Sequence, residues 1–126
     1  LQERQISKFI EAGSVAAAIK TVTGNIYVGV CFDTSCSLGM CAERNAIYSA
    51  YCNGYRKNDI ELLAVVASSN KIISPCGICR QVMNELLPED CLIILANLQG
   101  YKTILMKELL PMAFTEENLS CLNQDL

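Results

Sequence analysis

A mixed β-sheet layered by helices on both faces is the fold class that this sequence predicts, and three observations carry it. Residues 62–67, Leu-Leu-Ala-Val-Val-Ala, form an unbroken apolar run, as a strand covered on both faces requires. Residues 15–22 and 25–32 flank Thr23-Gly24 and read as a hairpin. Segments of helical period stand between the strands, which is the alternation of an α/β domain.

Each element has its own warrant. Residues 2–11 place Ile6, Phe9 and Ile10 at helical spacing and stop at Gly13, so they predict a first helix. The hairpin follows, then a loop over residues 33–39 that holds Ser, Cys and Gly. Residues 40–52 predict a helix with Ala42, Ala46 and Ala50 on one side and Ile47 and Tyr51 beside them, closed by Asn53-Gly54. After the 62–67 strand and a loop over 68–75 comes a helix whose inner stripe is Cys79, Val82, Met83 and Leu86, stopped by Pro88. Residues 91–95 and 102–106 predict two further strands, residues 108–111 a short helical turn, and the tail after Thr115 a last helical segment. The expected order is α-β-β-α-β-α-β-β.

Composition sets the bounds. A chain of 126 residues is read as one domain, long enough to bury roughly two thirds of its unfolded surface. With 52% hydrophobic and 18% charged residues, disorder is excluded, and the apolar excess hints at subunit contacts. No apolar run approaches the roughly 20 residues of a spanning helix. The first residues, Leu1-Gln2-Glu3-Arg4-Gln5, do not read as a signal peptide, and the absence of an initial Met leaves room for a short leader. Net charge is −3 and the ten basic residues are scattered, which disfavours a long nucleic acid as ligand but not an uncharged nucleoside. With no histidine, a Ser-His-Asp triad, a His-based zinc protease and a Cys-His protease are all excluded. Eight cysteines in a chain of this kind point to metal or redox work rather than to a disulfide scaffold.

The chemistry concentrates in two segments. Cys41-Ala42-Glu43-Arg44 opens one predicted helix, and Pro75-Cys76-Gly77-Ile78-Cys79 opens another. Together they supply three thiols and one carboxylic acid. Three protein ligands leave a corner of tetrahedral zinc open, as in catalytic rather than structural sites. At helix N-termini the dipole favours thiolates, and Arg44 is placed to donate hydrogen bonds to sulfur. Glu43, two residues beyond Cys41, points to a different side of the helix start and would serve as proton shuttle, not ligand. A Cys-x-x-Cys redox pair would leave Cys41-x-Glu43 without a purpose. A closed four-cysteine site would need Cys36, whose five-residue separation from Cys41 exceeds the usual spacing. Cys31, Cys52, Cys91 and Cys121 read as packing residues.

The Cys-x-Glu and Pro-Cys-x-x-Cys pair is the signature of zinc-dependent nucleobase deaminases. With Val15-Ala16-Ala17-Ala18, Thr23-Gly24-Asn25-Ile26-Tyr27, Arg80-Gln81 and Glu108-Leu109-Leu110-Pro111, residues 15–114 resemble the small cytidine deaminases. The resemblance implies a three-layer α/β/α fold around a five-stranded mixed sheet, with one Zn²⁺ per subunit held by Cys41, Cys76 and Cys79. It implies hydrolytic deamination of cytidine or a related cytosine nucleoside, with Glu43 moving the protons and ammonia released. A cytoplasmic enzyme of pyrimidine salvage, usually a homotetramer with a dimer as the alternative, is expected, with no long nucleic acid or membrane as partner. The Ala42 N–H would bind the pyrimidine O2, and Phe114 would enter a neighbour's site and stack on the base.

The departures lie on the sugar side. Family members usually carry Gly-x-Asn-(Val/Ile)-Glu-Asn, whose Asn and Glu hold the ribose hydroxyls, where this chain reads Gly29-Val30-Cys31-Phe32-Asp33-Thr34. Asp33 keeps a shorter acceptor, and Cys31 is a poor substitute for an amide. The next loop is one residue short, with Cys36 or Ser37 where a Tyr is common, and Gly13 replaces an aromatic residue. Ser14-Val15-Ala16 is similar to the blasticidin S deaminases, so the alternative reading keeps the chemistry and changes the substrate to a modified cytosine nucleoside or another aminated heterocycle. A zinc-stabilised interaction module without catalysis is the reading from another class.

Overall fold

The computed structural model describes residues 10–34 and 39–124, the side chains of 10–13 and 121–124 excepted. Five strands form one mixed sheet in the order β2-β1-β3-β4-β5: β1 (Ile10–Thr21), β2 (Ile26–Thr34), β3 (Ile60–Ala67), β4 (Leu92–Ala96) and β5 (Tyr101–Leu105). The β3–β4 pair is parallel and the other neighbours are antiparallel. Four α-helices complete the described chain: α1 (Ala42–Cys52), α2 (Gly77–Leu86), α3 (Met106–Leu109) and α4 (Glu116–Gln124). The α/β class and the five-stranded mixed sheet are as the sequence predicts.

The first element differs. The predicted helix over residues 2–11 lies outside the described residues except for Ile10 and Glu11, and these are strand, paired with Thr34 and Asp33 of β2. A register shift between Ala12 and Ala16 lets β1 run on past its apolar core segment. Long-range ladder bonds here override the local helical spacing. Gly24, at φ 90°, supplies the left-handed turn that joins β1 to β2.

Cross-strand partners share a face, so Gly29, Ala17, Val65 and Leu95 line one side of the sheet. On that side Ala17, Ile19, Leu63, Val65, Ile93 and Leu95 are buried together with Ala46, Ile47, Ala50, Met83 and Leu87 from α1 and α2. The other side is less covered. Leu62, Ala64 and Val66 are half-buried, and Ile26 and Val28 are exposed. The 62–67 run is therefore fully covered on one face only, among the described residues. Cys52, read as a packing residue, is exposed in the last turn of α1, whereas Cys91 is buried. The side chain of Cys121 lies outside the described residues.

Helix α1 sits unusually close to the sheet. A Cβ on Gly29 would lie 2.6 Å from the Ala46 nitrogen and 2.8 Å from the Ala42 oxygen, so only glycine lets the helix seat there. Asn45 fixes the seat by donating from Nδ2 to the Val30 carbonyl at 2.7 Å. The Tyr51 hydroxyl then donates to the Leu86 carbonyl at 2.6 Å and ties α1 to α2. Gly29→Ala is expected to destabilise the fold by about 1–3 kcal/mol, as overpacking does. Thermal or urea unfolding of the variant measures it.

Candidate metal centre and active site

Cys41 and Cys76 are the N-cap residues of α1 and α2, and Cys79 lies in the first turn of α2. Seating α1 and α2 side by side on one sheet face makes their N-termini converge. The three sulfur atoms lie within 4.8 Å of one another, with Cys41 Sγ and Cys76 Sγ 3.8 Å apart. Two sulfurs bound to a tetrahedral zinc at about 2.3 Å stand roughly 3.8 Å from each other. The donor set and its spacing fit zinc. Cys36, the fourth ligand that a closed site would need, lies outside the described residues.

The three thiols are held differently. Cys79 is fully buried, Cys41 is half-buried and Cys76 is exposed. Burial pushes the Cys79 thiol well up, and the adjoining Glu43 carboxylate adds to it through a hydrogen bond and its charge. For Cys76 burial also pushes up, but the Cys79 backbone N–H and the neighbouring thiols outweigh it, and the thiol moves down. A bound divalent cation requires thiolates and pulls all such groups toward the charged form. Arg44 supplies a fixed positive charge. Its hydrogen bond to Cys41 strengthens the guanidinium's hold on its proton, burial opposes this, and the Cys79 thiol supports it. Arg44 Nε is buried with no hydrogen-bond partner among the described residues.

A hollow of about 200 Å³ opens beside this cluster. Cys41, Cys76, Ala42 and Glu43 form its polar end; Val15, Val65, Ala67, Ile73 and Pro75 form apolar walls, and Cys31 and Ser74 complete it. Glu43 lines this space while only 5% exposed, and its carboxylate also meets the Cys79 thiol. Ala42 is fully buried at the first position of α1, where its N–H has no carbonyl of the helix to bond.

The substrate-side candidates separate. Cys31 is buried, and its sulfur is 3.1 Å from the Ser14 hydroxyl. Asp33 is exposed near the end of β2 and lines a second hollow with Met40 and Arg44; Cys31 and Cys41 form the wall between the two hollows. Phe114 does not line the hollow of its own chain. It is half exposed beyond α3, and its carbonyl accepts a hydrogen bond from Gln81 Nε2 at 3.0 Å. Sequence reasoning missed Ser14 as the partner of Cys31. Arg80 entered the sequence reading only within the resemblance, with no task of its own. The hollow's apolar walls depend on β1 lying beside β3, for which no local signal exists.

A family model for the cytidine and deoxycytidylate deaminase zinc-binding region matches residues 2–95. A cytidine deaminase of Halalkalibacterium halodurans is 44% identical over 108 residues, covering 84% of this chain and 80% of that protein. A blasticidin-S deaminase of Bacillus cereus is 35% identical over 109 residues, covering 80% and 76%. The solved cytidine deaminase of Burkholderia pseudomallei superposes with a TM-score of 0.76 at 38% identity, covering 86% of this chain and 84% of that one.

Replacing Cys79 with Ala removes the candidate ligand that the core buries most fully. Zinc affinity, measured by competition with a chromophoric chelator, is expected to fall by more than the roughly 10–100-fold typical of losing a group behind a ligand.

Proposed function

Because the chain belongs to the cytidine and deoxycytidylate deaminase family, we propose that it hydrolyses the exocyclic C–N bond of cytidine or a related cytosine nucleoside. Water is consumed, ammonia leaves, and the uridine form remains. The observation that carries this reading is the buried Glu43 carboxylate, set against Cys79 and opening onto the same hollow as the three-sulfur cluster.

Cys41, Cys76 and Cys79 would hold one Zn²⁺. When bound, the metal lowers the pKa of water to about 7 and makes a strong nucleophile available at neutral pH. Glu43 takes one proton of the attacking water and delivers it to the ring nitrogen beside the reacting carbon, then moves that water's remaining proton, from the hydroxyl now on the ring carbon, to the departing amine. A carboxylate with little access to bulk water keeps those protons in the site. The Ala42 N–H, which has no helix carbonyl to bond at the start of α1, would donate a hydrogen bond to the carbonyl oxygen of a pyrimidine. Arg44 offsets the negative charge of three thiolates. The apolar walls suit the faces of a flat ring and exclude competing solvent.

Glu43→Gln keeps the shape of the side chain and removes its basicity. Zinc content is expected to hold while turnover of cytidine falls by about 10²–10⁴-fold, read by the absorbance change on deamination. Unchanged turnover would end this assignment.

A second reading has its own support. Cys31 Sγ is paired with the Ser14 hydroxyl, and Asp33 lines a neighbouring hollow, so among the described residues a ribose finds few fixed partners beside the metal cluster. The chemistry would then serve a modified cytosine nucleoside. Ammonia release from a panel of cytosine nucleosides decides between the two, and a clear preference for plain cytidine defeats the second.

The chain is read as a single catalytic domain, a homotetramer or a dimer, acting in the cytoplasm in pyrimidine salvage. No helix among the described residues is long and apolar enough to cross a membrane. The exposed Ile26 and Val28 on the less covered sheet face, and Phe114 standing clear of its own hollow, support assembly. If Phe114 reaches a neighbour's base, Phe114→Ala raises KM by about 10-fold or more, the worth of one stacked ring. Sedimentation of the variant shows whether subunit number has changed with it.

A further inference from the structure

The three sulfurs of the cluster are not equally secured. Cys79 is fully buried among core side chains, and Cys41 caps a helix seated on Gly29. Cys76 is exposed, so packing does not hold it in place. Its carbonyl accepts the Arg80 backbone N–H at 2.9 Å as the cap of α2, and on its other side its position depends on the chain that precedes it. That stretch, residues 72–75, is backed by a second hollow of about 470 Å³, and Ser74 borders both this hollow and the one beside the sulfurs.

One side chain spans the gap. Arg80 donates from Nε to the Pro75 carbonyl at 2.9 Å, from one terminal nitrogen to the Leu109 carbonyl at 3.3 Å, and from the other to the Ser74 hydroxyl. Among the described residues, the bonds to Pro75 and Ser74 are the hydrogen bonds that reach residues 72–75. Leu109 is buried in α3 and belongs to the core, so the far end of the bridge is anchored. The Pro75 carbonyl lies in the peptide plane that carries the Cys76 nitrogen and Cα. Fixing that oxygen fixes the plane, and with it the origin of the Cys76 side chain. The proline ring already restricts the other torsion on that side.

We infer that Arg80 is a positioning residue for the metal centre: it holds Cys76 at ligand distance by clamping the Ser74–Pro75 turn to α3. The planar fork matters as much as the charge, because one guanidinium meets three acceptors in different directions, and an ammonium on a flexible stem does not. The inference rests on Cys41, Cys76 and Cys79 binding zinc.

The test compares unsubstituted protein with Arg80→Met, Arg80→Lys and Ser74→Ala, each titrated with zinc against a chromophoric chelator. Each is also loaded with cobalt(II), whose sulfur charge-transfer band reports the number of thiolate ligands. Unfolding temperature is measured alongside, without metal. Arg80→Met is expected to bind zinc about 10–100-fold more weakly, with a diminished charge-transfer band. Arg80→Lys should stay within that deficit, and Ser74→Ala, which removes one arm of the clamp, should show a smaller loss. A purely structural role would lower the unfolding temperature and leave zinc affinity and the cobalt band unchanged. That result overturns the inference, as does full recovery of affinity in Arg80→Lys. If Arg80→Met does not fold, Ser74→Ala decides alone by its affinity and cobalt band. Unsubstituted protein that binds no zinc would instead remove the metal reading beneath it.

Discussion

Thiolates repel one another, and a chain that gathers three cysteine sulfurs within 4.8 Å must bring positive potential to the same place if they are to bind a cation as thiolates. Here it comes from several sources that the fold aligns. Two helices end their positive poles at the cluster, with Cys41 and Cys76 as their caps. Arg44 lies against Cys41 and Cys79. A divalent cation would supply the rest. These contributions no longer meet at one point if α1 and α2 separate, which makes their common seat on one sheet face the condition for everything else at the site.

That seat rests on small residues. Ala42, Ala46 and Ala50 present a low ridge to the sheet, and Gly29 offers no side chain against it. The approach is close enough for Asn45 to reach a carbonyl of β2, so the helix cannot rotate without losing that bond. Rotation would carry Glu43 away from Cys79, and the carboxylate and the sulfur cluster would no longer share one space. The position of Glu43 is thus set by packing within its own turn of α1.

How much of this was legible in the sequence follows from the range of each interaction. The Cys41-x-Glu43 and Pro75-Cys76-x-x-Cys79 segments declare themselves, because a ligand at a helix cap and another three residues on is a local geometry. The stripes of α1 and α2 were equally plain, since helical period needs no partner to be read. The N-terminal part of β1 was not, because Ile6, Phe9 and Ile10 fit a helix locally while Ile10 and Glu11 owe their strand state to Thr34 and Asp33, more than twenty residues away. Cys52 looked like packing by residue type and proved exposed by its place on the last turn of α1. The Ser14–Cys31 bond and the Arg80 bridge join residues brought together only by strand order and helix docking, and spacing carries no trace of them.

The parallel pairing of β3 with β4 brings the chain out at the end of β3 and sends it through residues 68–75 before α2 begins. Val65, Ala67, Ile73 and Ser74 therefore reach the hollow from a strand tip and a connecting loop, whereas the sulfurs and Glu43 arrive on helix starts. On the proposed reading, the reactive groups and the hollow's apolar walls are lodged in separate pieces of backbone. Loop and strand-tip residues can be exchanged to admit a differently decorated ring while the reactive cluster stays as it is, so one scaffold can be inherited by enzymes whose substrates share little beyond the group that is removed.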